Sequence, residues 1–252
     1  MATIAHTSED APWLDRLHLP AYRVTEAAKY ASIHHNTIYA WERTASPDAP
    51  RRPPRAGLSY LELIEIAFVA FFKSMGIPLR RIRQAHDQIA GDLETAYPFT
   101  SLWFKTERPY YHLLIEQSGR YLKAIEVARV IPIERDEAPL LGRQARVVLP
   151  ETSGRYSQDD WVAEWFSRFD YEYEVVARWR LKGNESQVVI DPRVSFGAPT
   201  AAGIPTRVIA GRCEAGETPN DIASDFAISE AAVWDALYFE NLGHLTGQTR
   251  AS

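Results

Sequence analysis

The sequence predicts a mostly helical α+β fold, and three observations support this expectation. An amphipathic helix pair and a long apolar helix occupy much of residues 21–95. Short runs of β-forming residues, separated by Gly, Pro and Ser, follow over residues 96–150. A second helix pair lies within residues 183–252. We therefore expect an N-terminal winged helix-turn-helix, a small middle β segment and a C-terminal helix-turn-helix-like domain.

The chain of 252 residues is long enough for two or three small domains. We expect residues 1–20 to form a flexible N-terminus, because they show no clear periodicity. Residues 21–95 then form the winged helix-turn-helix and residues 96–150 the β segment. Residues 151–182 form an aromatic helix and a linker, and residues 183–252 form the C-terminal helical domain.

The composition excludes several classes of protein. Apolar residues make up 46% of the chain and charged residues 24%, as in ordinary soluble proteins. The sequence has no apolar run of the roughly 18 residues that a membrane helix needs, and its first residues lack the features of a signal peptide. Cys213 is the single cysteine, which rules out a disulfide within the chain and a cysteine-based zinc site. We expect a cytoplasmic protein that does not act at a membrane.

The sequence predicts neither an enzyme nor a cofactor site. It contains no GxSxG, P-loop, GxGxxG or HExxH pattern. His34 and His35 are adjacent, so they would not share a helix face as metal ligands. We therefore expect no catalytic residues, no metal site and no cofactor.

Charge is distributed unevenly along the chain. From Asn36 to Leu58 four arginines oppose two acids, a net charge of +2. From Glu214 to Glu240 there are seven acids and no Lys or Arg, a net charge of −7. DNA phosphates attract the first segment and repel the second. The two ends of the chain are therefore expected to have different partners.

The motif TEAAKYASIHHNTIYAWER, residues 25–43, has the pattern of a helix-turn-helix. Thr25 can cap the first helix. A second helix from about His34 would bury Ile38 and Trp41 against small residues of the first, namely Ala27, Ala28 and Ala31. The alternative is a pair of amphipathic helices whose outer face only meets solvent.

The outward side chains of the second helix are suited to DNA. Asn pairs with adenine and Arg with guanine, each with about 1–3 kcal/mol of discrimination. The Pro-rich segment that follows is a candidate wing with three arginines. The predicted DNA-binding residues are His35, Asn36, Tyr39, Arg43, Arg51, Arg52 and Arg55.

The second helix pair, TPNDIASDFAISEAAVWDAL, is predicted to contact protein rather than DNA. Its second helix carries Glu230, Asp235 and Glu240 and no cation. Its predicted core is Ile222, Ala223, Phe226, Ile228, Val233 and Leu237. The aromatic residues of the 157–179 segment fit either a core or an interface, because Trp and Tyr are common in both.

The motifs together resemble a known family. VTEAAKYASIHHNTIYAWER, the basic segment and GIPLRRIRQA resemble the winged helix-turn-helix of MerR-type proteins. IDPRVSFGAPTAAGIPTRVIAGRCEAGET and the helices after it resemble a C-terminal domain of unknown function found in VapB-type antitoxins. In combination the chain resembles the mycobacterial VapB45-like antitoxins from about Tyr22 to Glu240.

This resemblance implies an antitoxin of a type II toxin-antitoxin system. Such a protein binds a PIN-domain ribonuclease toxin, encoded next to it, and represses its own operon. Because a PIN site is a cluster of carboxylates, a cation must enter it. Among the cations of the second half, Arg207 and Arg212 are the predicted toxin-binding residues, since rigid turns would present them. Operator DNA is usually two-fold symmetric, so a homodimer is expected.

Two other functions remain open at this stage. The first is a MerR-like regulator without a toxin, in which the middle β segment is a ligand-responsive domain with an apolar pocket. The second is a protein-interaction scaffold whose N-terminal helices have lost DNA binding.

Overall fold

The computed structural model describes residues 11–45, 52–53, 56–102, 104 and 164–243. Most of the predicted β segment within residues 96–150 lies outside these residues, as do Arg51, Arg55 and Trp161. The chain divides into two units, Met1–Val176 and Ala177–Ser252. The boundary falls inside the 151–182 stretch that the sequence assigned to a helix and linker.

The described part of the first unit contains the helices and the first strand. The helices are α1 (Trp13–Arg16), α2 (Val24–Tyr30), α3 (His35–Ala45), α4 (Tyr60–Ser74) and α5 (Leu79–Asp92), and the strand is β1 (Phe169–Glu172). A short 3₁₀ turn, Pro98–Thr100, follows α5.

Residues 11–20 are part of the first unit. They include α1, and the side chains of Ala11 and Leu17 are buried. The carbonyl oxygen of Leu17 accepts a hydrogen bond from the backbone N–H of Leu61, 3.4 Å away in the first turn of α4. Part of the predicted flexible N-terminus therefore contributes two apolar side chains to the core.

Helix α4 is the centre of the first unit. Its N-terminus has a capping box: Ser59 Oγ accepts from the N–H of Glu62, and Glu62 Oε2 accepts from the N–H of Ser59 at 2.7 Å. Most of its side chains are buried, including four large apolar ones that solvent does not reach: Leu63, Ile64, Phe68 and Phe72. A helix that is apolar nearly all round must lie inside a core.

Three aromatic residues that precede β2 belong to that core: Trp165, Phe166 and Phe169. The ring of Phe68 stacks on that of Phe169 at 4.9 Å between centroids, and Phe71 stacks on Trp165 at 4.7 Å. The core interpretation of these residues is therefore confirmed.

The predicted aromatic helix within residues 151–182 gives way to a strand. Residues 164–167 are helical, but Phe169 begins β1. Tyr173 and Glu174 after it both have positive φ, as in a two-residue hairpin turn. From Phe169 on, strand β1 and this turn lie where the sequence predicted an aromatic helix and a linker.

The carboxylate of Glu65 is buried among the apolar residues of α4. Its Oε1 accepts a hydrogen bond from the N–H of Phe99 at 2.8 Å, and its Oε2 lies 3.0 Å from Nε2 of His86 on α5. Burial raises the pKa of Glu65, and the opposing effect of His86 is smaller. A buried carboxylate needs such partners, because an unpaired one is costly.

The second unit begins within a small antiparallel sheet. Its strands are β2 (Val175–Arg180), which starts in the first unit, β3 (Val188–Ile190), β4 (Thr200–Ala201) and β5 (Ile204–Pro205). The strands of the described residues follow chain order in the sheet, from β1 to β5. Trp179 pairs with Ile190, and Val188 pairs with Ala201. The predicted α+β class is confirmed.

The described part of the second unit also contains the helices α6 (Thr206–Glu214), α7 (Pro219–Phe226) and α8 (Glu230–Phe239). Thr218 caps α7 and Ser229 caps α8 through hydrogen bonds from backbone N–H groups to their hydroxyl oxygens. Ala227, in the left-handed conformation, ends α7. Of the predicted core, Ile222, Ala223, Val233 and Leu237 are buried, whereas Phe226 and Ile228 are partly exposed.

We expect the stability of the wild type relative to a Glu65→Gln variant to fall as pH rises. Because the pKa of Glu65 is raised in the folded protein, its contribution is complete below the ordinary value of about 4.3 and is lost as pH rises through the folded value. Urea unfolding of both proteins between pH 4 and pH 8 measures this difference. Glu94→Gln changes an exposed Glu in the same way and is the control. A constant difference between the wild type and Glu65→Gln across this range would contradict the prediction.

Candidate functional site

Helices α2 and α3 pack as the opening motif predicts. Ile38 and Trp41 of α3 are buried. Ala27 and Ala28 of α2 and Ala31 directly after it are buried too. The turn between the helices passes through Ser32, whose φ is 53°. The small alanine side chains allow the two helices to approach closely, so one face of α3 is fixed in the core and the other faces outward.

The ends of these helices differ slightly from the sequence prediction. Helix α2 begins at Val24, so Thr25 is already inside it, and Glu26 instead accepts a hydrogen bond from the N–H of Arg23 at 2.9 Å. Helix α3 begins at His35, and Nδ1 of His34 accepts from the N–H of Asn36 at 3.2 Å. His34 thus does what Ser or Thr usually does at this position.

The predicted DNA-reading residues of α3 lie on its outer side. His35, Asn36 and Arg43 are exposed, and Tyr39 is half-exposed. His35, Tyr39 and Arg43 are spaced by four residues, so they follow one another along one face of the helix. The rings of His35 and Tyr39 meet edge to face at 6.3 Å. This face combines hydrogen-bonding groups with one cation.

Arg52 is held within the unit. Its Nε donates to Glu42 Oε1 at 2.6 Å and its Nη1 donates to the carbonyl oxygen of Gly57 at 2.8 Å. Its Nη2 also bonds the carboxylate of Glu62. These bonds join the end of α3 to the start of α4, so Arg52 has a structural role whatever else it contacts.

Arg83 of α5 fixes the C-terminal end of α3. Its guanidinium carbon lies 3.5 Å from the centre of the Trp41 ring. Its Nη2 donates to the carbonyl oxygen of Trp41 at 3.2 Å, and its Nε donates to Thr44 Oγ1 at 3.0 Å. A cation near the last carbonyl groups of a helix is favourable. The sequence indicated only a basic start to α5, and it could not show that Arg83 turns inward while Arg80 and Arg81 stay exposed.

In the second unit, the two arginines predicted to bind a toxin have different surroundings. Arg212 bonds the carboxylates of Glu217 and Asp225, and its guanidinium lies 4.9 Å from the ring centre of Phe226. Arg207 is exposed in the first turn of α6. Arg212 would therefore have to leave two carboxylates before it could meet a partner.

Asp191 organises two other cations of this unit. Its carboxylate accepts bonds from the N–H, Nε and Nη2 of Arg193 at 2.8–2.9 Å, and Arg178 Nε lies 3.4 Å away. Partial burial acts to raise the pKa of Asp191, but the bonds from Arg193 keep that pKa below its ordinary value. Asp191 is therefore an acceptor that holds both arginines at the start of the turn that follows.

Two acids of the Glu214–Glu240 stretch turn out to be internal bonding groups. Asp235 Oδ2 accepts from the N–H of Gln187 at 2.8 Å, and Glu240 Oε1 accepts from Thr206 Oγ1 at 2.6 Å. The four exposed acids are Glu214, Asp221, Asp225 and Glu230. The outer surface is therefore less acidic than the sequence count alone suggests.

The described part of the chain shows neither a metal site nor a membrane helix. No three His, Cys, Asp or Glu side chains come together there as metal ligands do. None of its helices combines the length with the apolar character that crossing a bilayer requires.

Part of this chain is similar to a known protein family. Residues 188–239 match the family described as "Protein of unknown function (DUF433)". This range covers β3 to α8, which is most of the second unit.

A particular relative extends the comparison to nearly the whole chain. The chain is 24% identical to the Mycobacterium tuberculosis protein named "Putative antitoxin VapB45", over 88% of this chain and 94% of that protein. The crystal structure of Rv2018 from the same organism is similar in fold, with a TM-score of 0.60 and 20% identity over 88% of this chain and 99% of that one. The resemblance to VapB-type antitoxins is confirmed.

We expect replacement of Arg83 by Met to destabilise the protein by about 2 kcal/mol. The change keeps part of the side-chain volume but removes hydrogen bonds of a charged donor, which contribute about 1.5–3 kcal/mol each. Denaturant unfolding followed by circular dichroism measures the loss. Arg80→Met, an exposed position on the same helix, should change stability by less than about 0.5 kcal/mol. Equal effects of the two variants would show that Arg83 does not clamp α3.

Proposed function

We propose that this protein is the antitoxin of a type II toxin-antitoxin system. The observation that carries the proposal is the similarity to a protein named as an antitoxin over almost the full length of both chains. The partner would be a PIN-domain ribonuclease toxin encoded next to it. The protein itself would have no catalytic role and would act in the cytoplasm.

We also propose that α2 and α3 form a DNA-reading helix-turn-helix that represses the protein's own operon. The exposed face of α3 supports this, because His35, Asn36, Tyr39 and Arg43 offer groups suited to bases and phosphates. Arg51, Arg52 and Arg55 would reach the backbone from the wing. The guanidinium of Arg52 already bonds three protein groups, so only its remaining N–H groups would be left for the DNA backbone. A homodimer would match a two-fold operator.

The second unit is the proposed toxin-binding part. It contains the range that matches the domain of unknown function, and the cations between Arg178 and Arg207 include exposed ones. Arg207 is the toxin-binding residue that its exposure supports most, and Arg212 is the second candidate. A guanidinium suits a carboxylate-rich ribonuclease site, because it can bond two carboxylate oxygens at once.

Replacing Arg43 by Ala should weaken binding to the DNA upstream of the operon by about tenfold, if Arg43 contacts a base or phosphate. Fluorescence anisotropy at several salt concentrations measures the affinity. The slope of log affinity against log salt concentration should become smaller by about one in the variant. Lys73→Ala removes an equal charge from the exposed end of α4 and is the matched control. Equal losses for both variants would mean general electrostatic attraction only. A wild-type protein that binds no DNA would refute autorepression and leave the antitoxin proposal standing.

Mixing the purified protein with the product of the adjacent reading frame should give a complex and abolish a metal-dependent ribonuclease activity. Size-exclusion chromatography and cleavage of a labelled RNA measure the two effects. If Arg207 enters the toxin site, Arg207→Ala should weaken inhibition by about tenfold or more. Arg16→Ala, an exposed arginine of α1, is its control. Failure to form a complex at micromolar concentration would refute the antitoxin proposal and favour a regulator without a toxin.

A further inference from the structure

A strained turn lies between β3 and β4 of the second unit. Three consecutive residues there have positive φ: Ser195 at 47°, Phe196 at 55° and Gly197 at 78°. Glycine adopts such angles easily, but a bulky side chain with positive φ is an outlier that costs free energy. A strained conformation at an aromatic residue indicates that the position of its side chain matters.

The ring of Phe196 points into solvent. It is 90% exposed, more than any other large apolar side chain among the described residues. Water is an unfavourable environment for a phenyl ring, and a partner can bury roughly 150–250 Å² of it. Exposed aromatic side chains of this kind are common anchors in protein interfaces.

The turn that carries Phe196 is well ordered by hydrogen bonds. The N–H of Val194 donates to the carbonyl oxygen of Asp191 at 2.9 Å, and that of Gly197 donates to Val194 at 2.9 Å. The N–H of Ala198 donates to Ser195 at 3.1 Å. The carboxylate of Asp191 also caps the start of the turn. A side chain presented by such a fixed backbone loses little conformational entropy on binding.

Cations dominate the part of the chain that contains this turn. From Arg178 to Arg207 there are five Lys or Arg and two acids, whereas from Arg212 to Glu240 there are one Arg and seven acids. Arg178 and Arg193 bind Asp191 at the start of the turn, and the Arg178 side chain is 41% exposed. An aromatic anchor accompanied by guanidinium groups suits an apolar cleft bordered by carboxylates.

We propose that Phe196 anchors the second unit on the proposed toxin, with its ring in an apolar cleft beside the carboxylates of the ribonuclease site. This inference rests on the proposed function and adds the residue that supplies most of the contact energy. A second copy of this chain is a less suitable partner for the Phe196 ring. In a two-fold dimer built on this turn, Arg178 and Arg193 of one copy would face the same arginines of the other and repel them.

Replacing Phe196 by Asn tests this proposal. Asn accepts positive φ more readily than Phe, so the variant removes the ring and should leave the melting temperature unchanged or raised. We expect the full-length variant to bind the product of the adjacent reading frame at least about tenfold more weakly than the wild type. Isothermal titration calorimetry measures the affinity. Phe196→Trp should retain binding if an aromatic anchor is needed.

Tyr238→Asn is the matched control, because Tyr238 is also an exposed aromatic residue of the second unit, at 63%. It should bind as the wild type does. Binding of Phe196→Asn within about twofold of the wild type would overturn the proposal. So would a loss of binding accompanied by a lower melting temperature in both Phe196→Asn and Phe196→Gly, since the residue would then serve folding.

Two further outcomes separate this inference from the function on which it rests. If the wild type itself does not bind the neighbouring product, the antitoxin proposal fails and the Phe196 proposal fails with it. If light scattering shows that Phe196→Asn changes the mass of the isolated protein, Phe196 lies between two copies, and the toxin is not its occupant.

Discussion

The pairing of one buried carboxylate determines much of the first unit. Glu65 lies on a helix whose other inward side chains are apolar, so it needs bonding partners from outside that helix. Phe99 supplies a backbone N–H, and His86 supplies an imidazole nitrogen from α5. These two contacts fix the 3₁₀ turn and α5 against α4. The rings of His86 and of Trp41 in α3 also meet edge to face, with 5.4 Å between their centroids.

Helix α5 transmits this arrangement to the helix that carries the candidate DNA-binding face. Arg83 lies one turn before His86 and bonds the last turn of α3 through Trp41 and Thr44. Arg52 bonds α3 from the other direction through Glu42. An outward side chain can recognise a base only if its own helix is held within a fraction of an ångström. The polar contacts behind α3 therefore matter to its outer face, although none of them would touch DNA.

The second unit uses its charges in two ways. Asp235 and Glu240 form internal hydrogen bonds that connect α8 with the start of β3 and with α6. Asp191 holds Arg193 and Arg178 beside the strained turn. The other exposed acids of the described second unit are Glu185, which precedes β3, and four residues of α6, α7 and α8. Along the chain, most cations of the unit precede α6 and most acids follow it, and the cation-rich part suits a carboxylate-rich partner.

Local sequence patterns determined the helices and the identity of their buried faces. Ser59 with Glu62, the spacing of Ile38 and Trp41, and Ser229 before an apolar helix are signals whose physics lies within a few residues. The same local reasoning placed His35, Asn36 and Arg43 on an outer face. The sequence also carried the resemblance to VapB-type antitoxins in its motifs.

Only the tertiary structure decided which charged and aromatic groups are available to a partner. Arg52, Arg83 and Arg212 look like surface cations in the sequence, yet each bonds groups 5 to 42 positions away along the chain. The sequence does not show whether Phe196 is buried, and its turn holds the ring in solvent. Exposure and pairing depend on groups that are distant in sequence, and periodicity or composition cannot report them.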